Sequence, residues 1–255
     1  MAAFGSTTKA VSTYDYIDTR IRAAFPENLI IWCYTSHMVR DRLQETNNSR
    51  VLNPAEALEL LMEQGHQQTV VQSLHLLAGY EFHKLKSETS QDRIRVSLGL
   101  PILSTINDFR IITSGLVQLL QSRPDDEALV LIGHGTYHPS WPSFLALEYF
   151  LRDHFGGRIF SGCIEHFPTS EETVARIVKS GFKRACLIPF MLIAGRHFQR
   201  DIISPAPASW QSCCQAASIS ASFIDKGIGM EPYTSDILIN HINNAMNTLR
   251  LENQP

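Results

Sequence analysis

No run of 18 apolar residues and no block of like charge occurs anywhere in the 255-residue chain. The first absence excludes a membrane-spanning helix by length. The second, with a formal net charge of -3, excludes a general nucleic-acid surface, so any anion site must be local. Residues 1 to 20 include Asp15 and Asp18 and no apolar signal-peptide core, which predicts a soluble, cytoplasmic protein. The chain begins almost inside its first strand, which leaves room for a longer native N-terminus. There is no G-x-S-x-G nucleophile elbow, and Gly227-Ile228-Gly229 lacks the third glycine and the strand-then-helix setting of a dinucleotide loop. Hydrolase and nucleotide readings are weakened accordingly. The five cysteines, Cys33, Cys163, Cys186, Cys213 and Cys214, are odd in number and not at metal-type spacings, so they read as small core residues in a reducing compartment.

What is present is 44% hydrophobic residues, enough for a real core, arranged as strands alternating with helices. Strands are predicted over about 29–34, 69–77, 95–99, 128–133, 158–163 and 184–192, with a further strand tail at the start. Helices are predicted over about 9–24, 54–64, 105–121, 142–154, 170–180 and 233–250. Asn53 as N-cap, Pro54, Glu56 and Gly65 bracket one helix; Ser170, Glu171, Glu172 and Gly181 bracket another, with Val174, Ile177 and Val178 turned inward. The two coincide at an offset of 116 residues, which also lays Leu76–Phe82 over Leu192–Phe198 without a gap, 29 residues in all. Phe4-Gly5-Ser6 similarly resembles His134-Gly135-Thr136. The expected fold class is therefore α/β: an internal duplication giving two similar domains with parallel sheets, facing each other across a cleft. Residues 1–124, joined by the C-terminal helix 233–255, form the first, and residues 125–232 the second, after a polar linker at Pro124-Asp125-Asp126-Glu127.

The apolar run Leu129-Val130-Leu131-Ile132-Gly133 stops at His134, and the run Leu187 to Ala194 leads through Gly195 to His197. Ligands in open α/β sheets bind beyond the carboxyl ends of strands, where glycine lets the backbone turn or lets a ligand approach. Between them, the strand ending Ser161-Gly162-Cys163 leads to Glu165. Two imidazoles and a carboxylate at successive strand ends suit a first-row divalent ion with positions left open. Glu81 is the counterpart of His197 in the first half. Singly, each of these is as readily an ordinary satisfied polar residue at a strand end.

Gly133-His134-Gly135, Cys163-Ile164-Glu165-His166-Phe167-Pro168 and Pro189 to His197 resemble the signature stretches of the anaerobic (CbiK-type) sirohydrochlorin cobaltochelatases. Val71 to His75, Gly79-Tyr80-Glu81-Phe82, Tyr34-Thr35-Ser36 and Gly227-Ile228-Gly229 resemble that family too, over nearly the whole chain. The resemblance implies a class II chelatase fold and carries metal-binding and catalytic roles onto His134, Glu165 and His197, with Glu81 at the cleft mouth. It implies a lyase that inserts Co2+, or Fe2+ or Ni2+, into sirohydrochlorin or a related tetrapyrrole in cobalamin or porphyrin biosynthesis. The metal is a substrate, and no nucleotide or redox cofactor is required. The alternative is a haem-binding or other metallo-tetrapyrrole-binding protein without turnover, and a homo-oligomer is compatible with either. Where relatives usually carry Asp, Asn and Asp, this chain has Arg196, Arg200 and Ala208, while Asp201 and Ser209-Trp210 are kept. The two arginines read either as binding groups for substrate carboxylates or as surface residues.

Overall fold

In the computed structural model residues 1–6, 11–47 and 51–251 are described. The chain forms two compact units, Met1–Ser104 with Thr234–Pro255, and Thr105–Tyr233.

The first unit contains β1 (Ala2–Ala3), α1 (Val11–Ala24), β2 (Cys33–Tyr34), α2 (His37–Asn47), α3 (Pro54–Glu63), β3 (Gln68–Gln72), α4 (Tyr80–Glu88) and β4 (Arg95–Gly99). β1 pairs with β2 and β3 with β4, both in parallel, and a parallel bridge from Ala2 to Ser73 joins the two pairs. The resulting order is β2-β1-β3-β4. Its core holds Ala2, Cys33, Leu58, Val71, Leu85 and Ile94. The second unit contains α5 (Ile106–Gln121), β5 (Glu127–Gly133), α6 (Ser143–Phe155), β6 (Ile159–Cys163), α7 (Ser170–Lys179), β7 (Arg184–Pro189), the short α8 (Gly195–His197), α9 (Trp210–Ala216) and β8 (Ser220–Phe223). Its sheet runs β6-β5-β7-β8, all parallel, the same order as in the first unit. The last helix, α10 (Pro232–Leu251), packs on the first unit: His241 Nδ1 lies 2.8 Å from the Leu100 carbonyl and Arg95 donates to the Leu249 carbonyl at 3.2 Å.

The duplication is written into the capping chemistry. Asn53 caps α3 and Glu56 returns the bond; Thr169 caps α7 and Glu172 returns it, each a reciprocal capping box at the same offset. Both helices end at a glycine with positive φ, +85° at Gly65 and +84° at Gly181. Beyond the stretch where residue types agree, backbone bonds carry the repeat further. Leu74 N donates to the Ala2 carbonyl as Phe190 N donates to that of Ile132, and Ile102 N to His75 as Ile228 N to Met191.

Several expectations shift. The unit boundary falls at Thr105 rather than after Pro124, because α5 stacks on α6 through Phe109 and Phe150, ring centroids 5.3 Å apart. The supposed linker residue Glu127 opens β5, 1% exposed, and Arg123 holds it with two bonds of 2.8 Å. β2, β3 and β7 are shorter than their apolar runs, whose ends become loops carrying site residues. α2, α4, α9 and β8 have weaker periodicity and were not anticipated. Val178 is 44% exposed, although Val174 and Ile177 of the same helix are buried. Residues 9 and 10 of the first predicted helix lie outside the described residues. All five cysteines are free and, Cys213 excepted, buried.

Equivalent caps make an equivalent test. Asn53→Ala and Thr169→Ala are each expected to lower unfolding free energy by about 1 kcal/mol, measured by urea denaturation. No change in either variant would contradict the reading of these helices as cap-dependent.

Candidate active site

The sheet order of the second unit creates a place where the chain departs in opposite directions: from β5 toward β6, and from β7 toward β8. Loops that leave adjacent strands on opposite sides open a crevice at the strand ends. His134 follows β5 immediately. His197 is not at a strand end, as the apolar run suggested. β7 stops at Pro189, the chain continues through an irregular stretch to Ala194, and His197 sits on α8. This irregular stretch is held in place from the far side of the sheet: Ile228 N and Gly229 N donate to the carbonyls of Met191 and Leu192, both at 2.9 Å. A Cβ at Gly227 would come within 2.7 Å of the Leu192 carbonyl oxygen and 2.8 Å of that of Met191, so Gly227-Ile228-Gly229 braces that backbone.

The two imidazoles meet. Their ring centroids are 4.6 Å apart and the planes are nearly perpendicular, at 85°. His134 is exposed and His197 is half-buried. His197 Nδ1 lies 2.7 Å from Asp201 Oδ2. A carboxylate only accepts, so this contact assigns the proton to Nδ1 and leaves the Nε2 lone pair free for a metal or a proton. Asp201 in turn accepts from Arg200 Nε at 2.8 Å and Nη2 at 3.1 Å. Burial raises the Asp201 pKa, but the hydrogen bonds from Arg200 and His197 and their charges outweigh it and hold the carboxyl below its ordinary value.

Glu165 is anchored by its backbone: its N–H donates to the His134 carbonyl at 2.8 Å. Gly135, at φ +92°, lies so close to the Glu165 carbonyl oxygen that no side chain fits there. The loops after β5 and β6 are thus locked together. β6 itself is pinned by Glu148, which accepts from Ser161 N at 2.7 Å and Oγ at 2.9 Å and pairs with Arg152 and Arg176. The Glu165 side chain is half exposed, its Oε2 4.0 Å from Nε2 of the neighbouring His166. Among the described residues no three His, Cys, Asp or Glu side chains converge closely enough to hold an ion. The structure therefore brings two of the three expected ligands together and leaves the third on a fixed backbone beside them.

Glu81 belongs to the first unit, in the first turn of α4, where it accepts from Thr35 Oγ1 at 3.2 Å. Thr35 Oγ1 is 3.5 Å from His75 Nε2, and Ser73 Oγ is 2.9 Å from His75 Nδ1. Burial pushes the His75 imidazole down to about 4, against the raising effect of the Glu81 charge. Sequence reasoning gave Thr35, His75 and Asp201 no role. Only Asp201 carried a usable signal, its four-residue spacing from His197. The arginines divide. Arg196 is exposed, whereas Arg200 is engaged by Asp201 and is not a free cation for a ligand. A π-helical turn over Phe198–Ile202, with Ile203 N bonded to the Phe198 carbonyl at 3.1 Å, interrupts the helical register expected to place them on one face.

Two parallel sheets of one order, with paired imidazoles where the loops diverge, define a class II chelatase-type α/β protein. Solved structures share this fold. SirB from Bacillus subtilis with Fe3+ superposes with a TM-score of 0.70 at 15% identity, covering 98% of this chain and 95% of that one. CbiX, titled the terminal enzyme of sirohaem biosynthesis in denitrifying bacteria, gives 0.59 at 13%, covering 96% of each. The family model described as cobalt chelatase (CbiK) matches residues 1–247, and the chain belongs to that family. It is 29% identical to the sirohydrochlorin cobaltochelatase of Salmonella typhimurium over 231 residues, 89% of this chain and 87% of that one. It is 28% identical to sirohydrochlorin cobaltochelatase CbiKC of Nitratidesulfovibrio vulgaris over 256 residues, covering 98% and 90%. Among the described residues no helix is long and apolar enough to cross a membrane.

The depressed His75 sets a pH dependence. Folded, it stays neutral down to about 4, while the unfolded imidazole takes a proton near 6.5. Its contribution is fully present above 6.5 and is lost as pH falls toward 4, at up to about 1.4 kcal/mol per pH unit. Urea midpoints of the parent protein at about pH 5 and pH 7.5 should differ by more than those of His75→Gln. Equal differences would contradict the assignment.

Proposed function

We propose that this protein inserts a divalent metal, Co2+ with Fe2+ and Ni2+ as alternatives, into sirohydrochlorin or a closely related tetrapyrrole. The observation that carries the reading is the His134–His197 pair with Asp201 behind it. Insertion requires that two pyrrole N–H protons leave while the metal exchanges its old ligands for the macrocycle nitrogens. The free Nε2 of His197 can hold the ion or accept a proton. In the second case the Asp201 carboxylate stabilises the imidazolium that forms. His134, exposed and edge-on to His197, supplies a second nitrogen. Glu165, half exposed at its carboxylate and fixed at its backbone, can turn from the neighbouring His166 onto the ion by side-chain rotation alone. The ion is a substrate, and its Lewis acidity lowers the cost of pyrrole deprotonation.

Glu81 is assigned to the tetrapyrrole instead of the ion, held by Thr35 in a defined orientation. Arg196, exposed beside His197, is assigned to a substrate carboxylate, with a charge-assisted value of about 1.5 to 3 kcal/mol before screening. Arg200 is assigned to Asp201, where it keeps the carboxylate ionised and aimed.

Anoxic incubation with sirohydrochlorin and each of Co2+, Fe2+ and Ni2+, followed by absorbance, tests the reaction. Turnover supports it, and tight binding of a metallated tetrapyrrole without turnover would favour the haem-type binding protein. His197→Ala should lower insertion by about a hundredfold or more while changing tetrapyrrole Kd by less than about threefold, and Glu81→Ala should act mainly on binding or substrate choice. Equal loss of binding in both variants would contradict this division of roles. Arg196→Asp should weaken tetrapyrrole affinity about tenfold and flatten its salt dependence; unchanged affinity at low ionic strength would make Arg196 a surface residue.

A further inference from the structure

The loops that begin at His134 and Ile164 carry more than metal-binding groups. Tyr137, three residues past His134, is 79% exposed, and its ring packs against that of His166, the residue after Glu165, with the two planes tilted by 41°. Phe167, 46% exposed, meets Trp141 edge to face at 5.3 Å. Both aromatic pairs bridge the same two loops, the ones that Gly135 and the Glu165 N–H lock together. They therefore present their rings on a rigid support, next to the residues assigned to the ion.

His166 is held at φ +67°, a conformation that L side chains adopt rarely and glycine freely. A strained residue persists where its side chain has a use there, and the inference runs from the strain to a function. Core packing is not that use: Tyr137 projects into solvent. Exposed π faces beside a metal-binding pair suit one class of ligand, a conjugated ring system whose centre must reach the metal while its rim lies on aromatic side chains.

We propose that Tyr137 and His166, together with the Trp141–Phe167 pair, form a stacking face for the conjugated ring of the tetrapyrrole substrate. This rests on the chelatase reading above. Stacking is insensitive to the ring's peripheral charges, so this face would fix the macrocycle's tilt while Arg196 reads a carboxylate.

The test is anoxic titration of metal-free sirohydrochlorin into the parent protein and into Tyr137→Ala, Tyr137→Phe and His166→Gly, with Co2+ titrated separately and oligomeric state followed by sedimentation. Tyr137→Ala and His166→Gly should weaken tetrapyrrole binding about three- to tenfold, Tyr137→Phe should retain it, and Co2+ affinity in the absence of tetrapyrrole should be unchanged in both Tyr137 variants. His166→Gly should also melt no lower than the parent, because glycine relieves the strained φ; a purely structural imidazole would give the opposite. Tetrapyrrole binding unchanged in Tyr137→Ala overturns the proposal while leaving the chelatase reading intact. A change in sedimentation without a change in tetrapyrrole affinity overturns it too, in favour of a contact between copies. Failure of the parent protein to bind any tetrapyrrole overturns both.

Discussion

The site depends on the parallel pairing of β5 with β7, from Glu127 beside Arg184 to Ile132 beside Pro189. This register fixes where both strands end. His134 then emerges on one side of the crevice and the irregular stretch that leads to His197 on the other. One residue of slip would exchange the two faces of the slipped strand, move its end along the crevice and separate the rings. The pairing is protected by its surroundings: β5 is buried along its whole length, its first residue is clamped by Arg123, and β7 is flanked by β8. A rigid frame suits a reaction in which the protein must hold an ion in one place while its other ligands change.

The two units use one backbone for two chemistries. Matching backbone bonds make Phe4 the equivalent of His134 and Ser36 that of Glu165, and the 116-residue offset makes Glu81 the equivalent of His197. Leu85, fully buried, stands where Asp201 orients His197 in the second unit. The first unit thus has no nitrogen donor at these positions and no carboxylate to orient one. What it offers at the corresponding strand ends is a single carboxylate, fixed by a threonine hydroxyl next to an imidazole kept neutral by burial. In the proposed reading the metal chemistry belongs to one copy of the repeat, and the other copy supplies groups suited to binding an organic substrate.

Much of the fold could be read from the sequence because helix boundaries are set locally. Asn53-Pro54-Ala55-Glu56 and Thr169-Ser170-Glu171-Glu172 specify their own caps, and Gly65 and Gly181 their own exits. The parallel strands were visible as buried apolar runs, but their ends were not, since Phe190 to Ala194 is as apolar as a strand while its backbone bonds to neighbouring loops. The boundary between units falls elsewhere for a related reason: a polar stretch such as Pro124–Glu127 looks like a linker until its last carboxylate is buried against Arg123. In the site, His134 was legible from its glycine-flanked strand end, whereas His197 follows an apolar run that is strand only as far as Pro189. The state of Arg200 was not legible, because its partner is the next residue, Asp201, inside a π-helical turn that no residue pattern announced.

Arg200, Asp201, His197 and His134 form one connected line, and the account's central claim is that its last two members bind the same ion. X-ray absorption of the Co2+-loaded protein without tetrapyrrole tests this directly. Two imidazole nitrogens in the first coordination sphere of the parent protein, and one in His134→Ala, are expected. A parent spectrum with a single imidazole or none would show that the two rings touch without sharing a metal, and would contradict the account.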